Sequence, residues 1–134
     1  MSDATNNQTN TAAKKVLIAD DEQNIVISIE FLMKREGFQV LIARDGEEAL
    51  SKVMTERPDL ILLDVMMPKK NGYEVCQSIK SDPALATTKV LMLTAKGRET
   101  EVAKGLAIGA DAYMTKPFST RELVAKAKEL LAGV

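Results

Sequence analysis

Histidine is absent from this chain of 134 residues, and the sequence contains a single cysteine, Cys76. Without histidine the chain has no Ser-His-Asp catalysis, no imidazole metal ligand and no phosphohistidine of its own. One cysteine cannot form a disulfide within the chain. Any chemistry must therefore come from carboxylates, lysines and hydroxyl groups.

The charge and hydropathy of the chain exclude further classes of protein. The formal net charge is −1, and no stripe of lysines and arginines is present to follow a phosphate backbone, so we expect no direct binding of nucleic acid. No apolar run approaches the roughly 18 residues that cross a bilayer, and the first residues lack the basic start and apolar stretch of a signal peptide. We therefore expect no membrane contact and a cytoplasmic location.

The sequence predicts one domain preceded by a tail. Residues 1–13 are polar, with several asparagines and threonines, and predict a disordered segment. Residues 14–134 are long enough for a single domain with a hydrophobic core, and 46% of all residues are hydrophobic.

Short apolar strands alternate with amphipathic helices along this domain. Each predicted strand is followed by a segment with apolar residues at helical spacing, as at Ile25, Ile29 and Leu32. Strands made almost entirely of Val, Ile and Leu are buried on both faces, which is typical of a parallel sheet covered by helices. We therefore predict a doubly wound α/β domain. Its five strands are expected at Lys15–Ala19, Gln39–Ala43, Asp59–Leu63, Lys89–Leu93 and Ala112–Met114.

Glycine, proline and capping residues mark the predicted helix ends. Ser119 is expected to cap the last helix, with Glu122 three residues later completing a capping box. Such signals at both ends of each apolar segment support the alternation of strands and helices. The stops of the first four helices are expected at Gly37, Pro58, Asp82-Pro83 and Gly109.

Carboxylates, a hydroxyl group and a lysine lie just past the ends of four predicted strands. Asp20 and Asp21 follow the first strand, Asp64 the third, Thr94 the fourth and Lys116 the fifth. In doubly wound sheets, ligands bind outside the carboxyl ends of the strands, at the point where the winding reverses. We therefore expect these side chains to meet in one cleft.

This set of side chains suits a site that holds Mg²⁺ and accepts a phosphoryl group. Mg²⁺ prefers oxygen ligands and is usually bound by one or two carboxylates with waters and phosphate oxygens. Asp21 is the first candidate ligand, with Asp20 supporting it, and Asp64 is the candidate nucleophile that would form an aspartyl phosphate. Lys116 would neutralise the transferring group, and Thr94 would donate a neutral hydroxyl to it.

At these positions the chain resembles the receiver domain of bacterial two-component response regulators. The resemblance covers about residues 14–131 and rests on four separate motifs in the same order as in the family. These are Ala19-Asp20-Asp21-Glu22; Asp64-Val65-Met66-Met67-Pro68 leading to Asn71-Gly72; Leu93-Thr94-Ala95; and Gly109-Ala110-Asp111-Ala112-Tyr113 leading to Lys116-Pro117-Phe118.

The resemblance implies a flavodoxin-like sheet with strand order 2-1-3-4-5 and helices on both faces. It implies that Asp64 takes a phosphoryl group from a sensor histidine kinase or a histidine phosphotransfer protein. Asp20, Asp21, Asp64 and the backbone carbonyl of Met66 would bind Mg²⁺, with Mn²⁺ able to replace it. Such a domain is a phosphoacceptor regulator, whose only catalysis is its own phosphotransfer and autodephosphorylation.

The resemblance also implies a switch. Thr94 would move toward the phosphoryl group and Tyr113 would follow inward, which reshapes the face formed by the fourth helix, the fifth strand and the fifth helix. That face would bind a downstream protein target or a second phosphorylated copy of the chain. The Lys116-Pro117 bond would be cis, and Met66 and Lys96 would tune the lifetime of the phosphoryl group.

Other interpretations stay open at this point. Asp20 and Asp21 are also ordinary acids for the start of a helix. An aspartate-based phosphohydrolase would use the same metal, but Met66 stands where such enzymes usually carry a second aspartate. A flavodoxin-like cofactor binder would need a glycine-rich loop where this chain has the acidic residues 20–24. Because no output domain follows the last predicted helix, we expect either a stand-alone receiver or a piece of a longer protein.

Overall fold

Strands and helices alternate along the part of the chain that the structure describes. The structure is a computed structural model, and it describes residues 14–95 and 108–132. The predicted tail over residues 1–13 lies outside these ranges. The elements are β1 (Lys15–Ala19), α1 (Gln23–Arg35), β2 (Gln39–Ala43), α2 (Gly46–Glu56), β3 (Leu60–Asp64), α3 (Gly72–Ser81), β4 (Lys89–Ala95), β5 (Ala112–Lys116) and α4 (Thr120–Leu131).

The five strands form one parallel sheet in the order β2-β1-β3-β4-β5. This confirms the doubly wound fold and the strand order 2-1-3-4-5. The chain steps outward from β1 to β2 and then crosses back to β3, so the winding reverses between β1 and β3. The cleft at the carboxyl ends of these two strands is the expected binding position in such a sheet.

The sheet separates two layers of hydrophobic core. Along β1, Leu17 and Ala19 belong to the layer under α2 and α3, whereas Val16 and Ile18 belong to the layer under α1 and α4. All four side chains are fully buried. Because side chains alternate between the faces of a strand, an almost continuous apolar strand supplies both layers. Each large side chain buried in this way stabilises the fold by about 1.5–3 kcal/mol.

Three predicted strands have different ends in the structure. β3 begins at Leu60 and includes Asp64, which pairs with Leu93. β4 continues through Thr94 to Ala95, and β5 continues to Lys116, which pairs with Ala95. The ladder depends on backbone groups, so polar side chains do not end a strand, and these three residues lie inside strands instead of just past the predicted ends. Asp64, Thr94 and Lys116 are therefore held by regular sheet and not by loops.

The helix ends follow the predicted signals with small shifts. Gly37 has a φ of 92°, two residues after the end of α1, a backbone conformation that suits glycine. Asp82 is the C-cap of α3, and Ser119 and Glu122 form the predicted capping box of α4. α2 ends before Pro58, where Arg57 adopts a left-handed conformation. The predicted helix before Gly109 falls on residues outside the described ranges.

Asp111 has a structural role at the start of β5. Its Oδ2 accepts a hydrogen bond from the N–H of Val90 at 2.8 Å and pairs with Lys80 Nζ at 2.9 Å. Lys80 Nζ also donates to the carbonyl of Thr88 at 2.8 Å. Gly109 has a φ of 109°, and a Cβ at this residue would lie 3.1 Å from Lys80 Cγ. This part of the receiver-like motif therefore ties α3 to the edge of the sheet.

Within the described ranges, none of the helices is sufficiently long and apolar to traverse a bilayer.

Candidate functional site

Three carboxylates meet where the winding of the sheet reverses. Asp20 follows β1, Asp21 comes next, and Asp64 is the last residue of the adjacent strand β3. One carboxylate oxygen from each residue lies within 4.8 Å of the others. Asp20 and Asp64 are buried, with 0% and 5% of their surface exposed, whereas Asp21 is exposed. The cluster therefore has a buried base and one ligand at its open side.

Backbone N–H groups hold the two buried carboxylates in place. Asp20 Oδ1 accepts the N–H of Glu22 at 2.9 Å, and Asp64 Oδ1 accepts the N–H of Met66 at 3.3 Å. In both cases the donor lies two residues further along the chain, as in a turn that an aspartate side chain closes. The turns that leave β1 and β3 thus fix the direction of both carboxylates.

Lys116 approaches the cluster from β5, two strands away from β3. Its Nζ lies 3.0 Å from Asp20 Oδ2, 2.9 Å from Glu22 Oε1 and 3.6 Å from Asp64 Oδ1. The peptide bond between Lys116 and Pro117 is cis, the form that the resemblance implied. The long side chain places one positive charge among the carboxylates.

The proximity of the carboxylates shifts the pKa values of Asp64 and Lys116. Burial, together with the negative charge of Asp20, raises the pKa of Asp64 to about 7, although Lys116 and the Met66 N–H oppose the rise. Burial by itself would lower the pKa of Lys116, but the hydrogen bond to Glu22 and the charges of Asp64 and Asp20 outweigh it and raise that pKa. The cluster therefore carries more negative charge than one lysine neutralises.

The donor set fits a hard divalent cation. It consists of carboxylate oxygens, the ligands that Mg²⁺ prefers, and it includes one exposed residue, Asp21, at the open side. The burial and the neighbouring acids that raise the pKa of Asp64 are effects that a bound positive charge would offset. The part assigned to the backbone carbonyl of Met66 stays a prediction.

The two predicted switch residues lie on neighbouring strands. Thr94 lies in β4, next to Leu93, the residue that pairs with Asp64, and it is 2% exposed. Among the described residues, its Oγ1 has no hydrogen-bond partner. Tyr113 lies in β5 opposite Met92, and 45% of its surface is exposed. A buried hydroxyl without a partner is costly, so Thr94 is suited to gain an acceptor.

The loop from β3 to α3 is fixed by two close contacts that the sequence did not reveal. A Cβ at Gly46 would overlap the carbonyl oxygen of Lys70, so the start of α2 lies directly against this loop. Lys69 has a φ of 72°, and its Nζ pairs with Asp45 Oδ2 at 3.6 Å. Asp45-Gly46 is a recognisable helix start, but its packing against the loop depends on the fold.

Other candidate residues have simpler outcomes. Met66, two residues after Asp64, is 55% exposed. Lys96 lies outside the described residues. The sequence motif assigns Glu22 no role of its own, yet its carboxylate contacts Lys116 directly. The only signal in the sequence is that Glu22 is a third acid directly after the pair Asp20-Asp21. Its contact with Lys116 could not be predicted, because 94 residues separate Glu22 from Lys116.

A comparison with protein-family models identifies the family of this chain. The model of the response regulator receiver domain matches residues 16–128. The chain belongs to this family. As a receiver domain it is a signalling module of bacterial two-component systems, which confirms the resemblance inferred from the motifs.

Individual relatives agree with this assignment. The alkaline phosphatase synthesis transcriptional regulatory protein PhoP of Bacillus subtilis (strain 168) is 50% identical over 118 residues, which make up 88% of this chain and 48% of PhoP. The receiver domain thus spans about half the length of this curated relative. The chemotaxis response regulator CheY4 of Vibrio cholerae is 31% identical, with a TM-score of 0.83 and coverage of 89% of this chain and 99% of CheY4.

A third relative is the receiver domain of the Francisella response regulator 1452. It is 34% identical, with a TM-score of 0.82, and the match covers 89% of this chain and 97% of that domain. The receiver fold is thus shared with solved structures along almost their whole length.

Proposed function

We propose that this receiver domain accepts a phosphoryl group on Asp64 from a sensor histidine kinase or a histidine phosphotransfer protein. The observation that carries the proposal is the position of the Asp64 carboxylate. It is buried at the carboxyl end of β3, within 4.8 Å of oxygens of Asp20 and Asp21, and Lys116 Nζ is 3.6 Å away. The resulting excess of negative charge favours a divalent cation, and Asp20, Asp21 and Asp64 are the residues that would hold Mg²⁺.

In the proposed transfer, an oxygen of Asp64 attacks the phosphorus of a phosphohistidine. A bond between phosphorus and the carboxylate oxygen forms, the bond between phosphorus and the imidazole nitrogen breaks, and the imidazole leaves with the electron pair. Lys116 and the N–H of Met66 face the reacting end of Asp64 and stabilise negative charge there. Bound Mg²⁺ would supply further positive charge that keeps the carboxylates ionised and offsets the charge of the phosphoryl group.

We propose that the phosphoryl group changes the surface through Thr94 and Tyr113. The Thr94 hydroxyl lacks a partner among the described residues, so a new dianion offers it an acceptor. Tyr113 on the neighbouring strand is exposed and would move inward. The affected face includes β5 and α4, together with residues outside the described ranges, and would bind a protein target or a second phosphorylated copy.

We propose a class of kinase and a protein target for this domain, and no individual kinase or target. PhoP is named as a transcriptional regulatory protein, and this chain spans about half of its length. The expectation that residues 14–134 make no direct contact with nucleic acid therefore stays a prediction. We also propose that the exposed Met66 side chain, and Lys96 outside the described residues, influence the lifetime of the phosphoryl group by limiting the approach of water.

The proposal is tested by measuring intact protein mass after incubation with acetyl phosphate. We expect the wild type to gain one phosphoryl group in the presence of Mg²⁺ and none in the presence of a chelator. The variant Asp64→Asn is expected to gain none under either condition. Stoichiometric, persistent labelling of Asp64→Asn would contradict the assignment of the acceptor. A purified histidine kinase serves as a second donor if acetyl phosphate fails with the wild type.

A further inference from the structure

Glu22 contacts the site although neither the proposed metal nor the proposed acceptor needs it. Its Oε1 lies 2.9 Å from Lys116 Nζ, the shortest described contact of that ammonium group. Asp20 Oδ2 lies at 3.0 Å, and Asp64 Oδ1 lies at 3.6 Å, beyond hydrogen-bond distance. In this structure Lys116 is therefore bonded to Glu22 and Asp20 in preference to Asp64.

The two acids that flank Lys116 differ in exposure. The Glu22 side chain is 59% exposed, whereas the Asp64 side chain is 8% exposed. The ammonium group is therefore hydrogen-bonded to an exposed carboxylate while the buried Asp64 carboxylate lies farther away, at 3.6 Å. Any new acceptor on Asp64 has to attract Lys116 against this contact.

Among the described residues, the Glu22 carboxylate forms no hydrogen bond or ion pair with any group other than Lys116. Glu22 is the N-cap residue of α1, but its side chain accepts no hydrogen bond from the first turn of that helix. Aspartate, asparagine and serine cap helices well, because their short side chains reach the N–H groups of the first turn. The longer glutamate side chain reaches Lys116 instead.

We propose that Glu22 is a positioning residue that holds Lys116 in the unphosphorylated domain and competes with the phosphoryl group for it. The inference rests on the proposed function of Asp64 as the acceptor. Loss of the contact leaves the ammonium group bonded only to Asp20 among these acids and favours the phosphorylated state. Because Glu22 is largely exposed, the contact is screened by solvent, and we expect an effect of about two- to fivefold.

Two variants separate the direct contact from the charge of Glu22. Glu22→Asp keeps the negative charge but shortens the side chain, and aspartate at an N-cap bonds the helix instead of Lys116. Glu22→Gln keeps the length and removes the charge. Glu47 is an exposed residue in the first turn of α2, and Glu47→Gln is the matched control for loss of one acidic charge outside the contact.

The first measurement is the affinity for beryllofluoride, a phosphoryl analogue, by calorimetry at saturating Mg²⁺. We expect Glu22→Asp and Glu22→Gln to bind it about two- to fivefold more tightly than the wild type, with Glu47→Gln unchanged. If Glu22→Asp binds like the wild type and only Glu22→Gln differs, the effect is one of overall charge, and the proposed contact is overturned.

The second measurement does not depend on phosphorylation. The rate at which acetic anhydride acylates Lys116 is followed by peptide mass analysis in the metal-free protein. We expect a faster reaction in Glu22→Asp, because the amine loses one of its two hydrogen-bonded carboxylates, and an unchanged rate in Glu47→Gln. An unchanged rate in Glu22→Asp would overturn the contact alone. A wild type that binds no beryllofluoride would overturn the competition together with the proposed function.

Discussion

Gly72 lies so close to Asp64 that a Cβ placed on this glycine would be 2.5 Å from the Asp64 carbonyl oxygen. The N–H of Gly72 also donates to the carbonyl of Val65 at 2.8 Å. The start of α3 is thus packed against the end of the strand that carries the acceptor carboxylate. Glycine at this residue couples the position of α3 to the geometry of the site.

The variant Gly72→Ala is expected to lower both stability and metal affinity. The added methyl group meets backbone atoms, which cannot move aside as a flexible side chain can. We expect the free energy of unfolding to fall by about 2 kcal/mol, as for overpacked buried sites. Urea unfolding and calorimetric titration with Mg²⁺ measure the two effects.

Gly37→Ala is the control for this prediction. Unlike Gly72, Gly37 has a positive φ, and a Cβ there meets no atom within 4 Å. We expect a loss of stability from backbone strain with unchanged Mg²⁺ affinity. Equal losses of Mg²⁺ affinity in both variants would show that Gly72 has no specific effect on the site.

The variant Asp64→Asn is expected to stabilise the metal-free protein in a pH-dependent way. Folding raises the pKa of Asp64 to about 7, chiefly through burial, so the ionised group destabilises the folded state. The penalty is absent below the unfolded pKa of about 4, grows as the pH rises and is complete above about pH 7. We expect a gain in unfolding free energy on the order of 2 kcal/mol at pH 8 and much less at pH 5.

The measurement is urea unfolding at both pH values with and without Mg²⁺. Added Mg²⁺ is expected to remove most of the advantage of Asp64→Asn, because it binds the wild-type carboxylates. A gain that is equal at pH 5 and pH 8 would contradict the raised pKa of Asp64.

The variant Thr94→Val is expected to increase stability while impairing the response to phosphorylation. It removes a buried hydroxyl that lacks a partner among the described residues, which favours the folded state by about 1 kcal/mol. The phosphorylated variant would lack the hydroxyl that turns toward the phosphoryl group. NMR shifts around Tyr113 on adding beryllofluoride report this response.

Thr88→Val is the matched control. The Thr88 hydroxyl is also buried, but it donates to the carbonyl of Pro58 at 3.0 Å. Its removal leaves that carbonyl without its donor, and we expect a loss of about 1 kcal/mol with an intact response to beryllofluoride. Destabilisation by both substitutions would count against an unsatisfied Thr94 hydroxyl.

The variant Lys116→Met is expected to raise the affinity of the metal-free protein for Mg²⁺. In the metal-free protein, Lys116 Nζ pairs with Asp20 Oδ2 at 3.0 Å, so Mg²⁺ and the lysine compete for this buried carboxylate. Without the lysine, the free energy of unfolding is expected to fall by about 1–3 kcal/mol because buried carboxylates lose their partner. Lys126→Met removes a lysine paired with the exposed Glu129 and should change neither quantity appreciably. Weaker Mg²⁺ binding in Lys116→Met would contradict the competition.

Local patterns were sufficient to predict the sheet and the meeting point of the carboxylates. The apolar runs that end at Ala19 and Leu63 predicted buried parallel strands, and parallel strands bring their carboxyl ends to one edge. Asp20 and Asp64 could therefore be placed together although 44 residues separate them. This inference needs only the type of sheet and the order of the strands.

Contacts that depend on side-chain reach or backbone approach could not be predicted. The pairing of Glu22 with Lys116 requires the length of both side chains and the distance from α1 to β5. The packing of Gly46 against Lys70 depends on the position of α2 relative to the loop between β3 and α3. The extension of β4 through Thr94 was missed because a polar residue was taken as a strand end, although the ladder uses only backbone atoms.

Reductive trapping tests most directly whether Asp64 is the residue that carries the phosphoryl group. Borohydride reduces an aspartyl phosphate to homoserine, which peptide mass analysis locates in the chain. After acetyl phosphate and Mg²⁺ we predict homoserine in place of Asp64 and unmodified Asp20 and Asp21. Homoserine in place of Asp20 or Asp21, with Asp64 intact, would contradict the account.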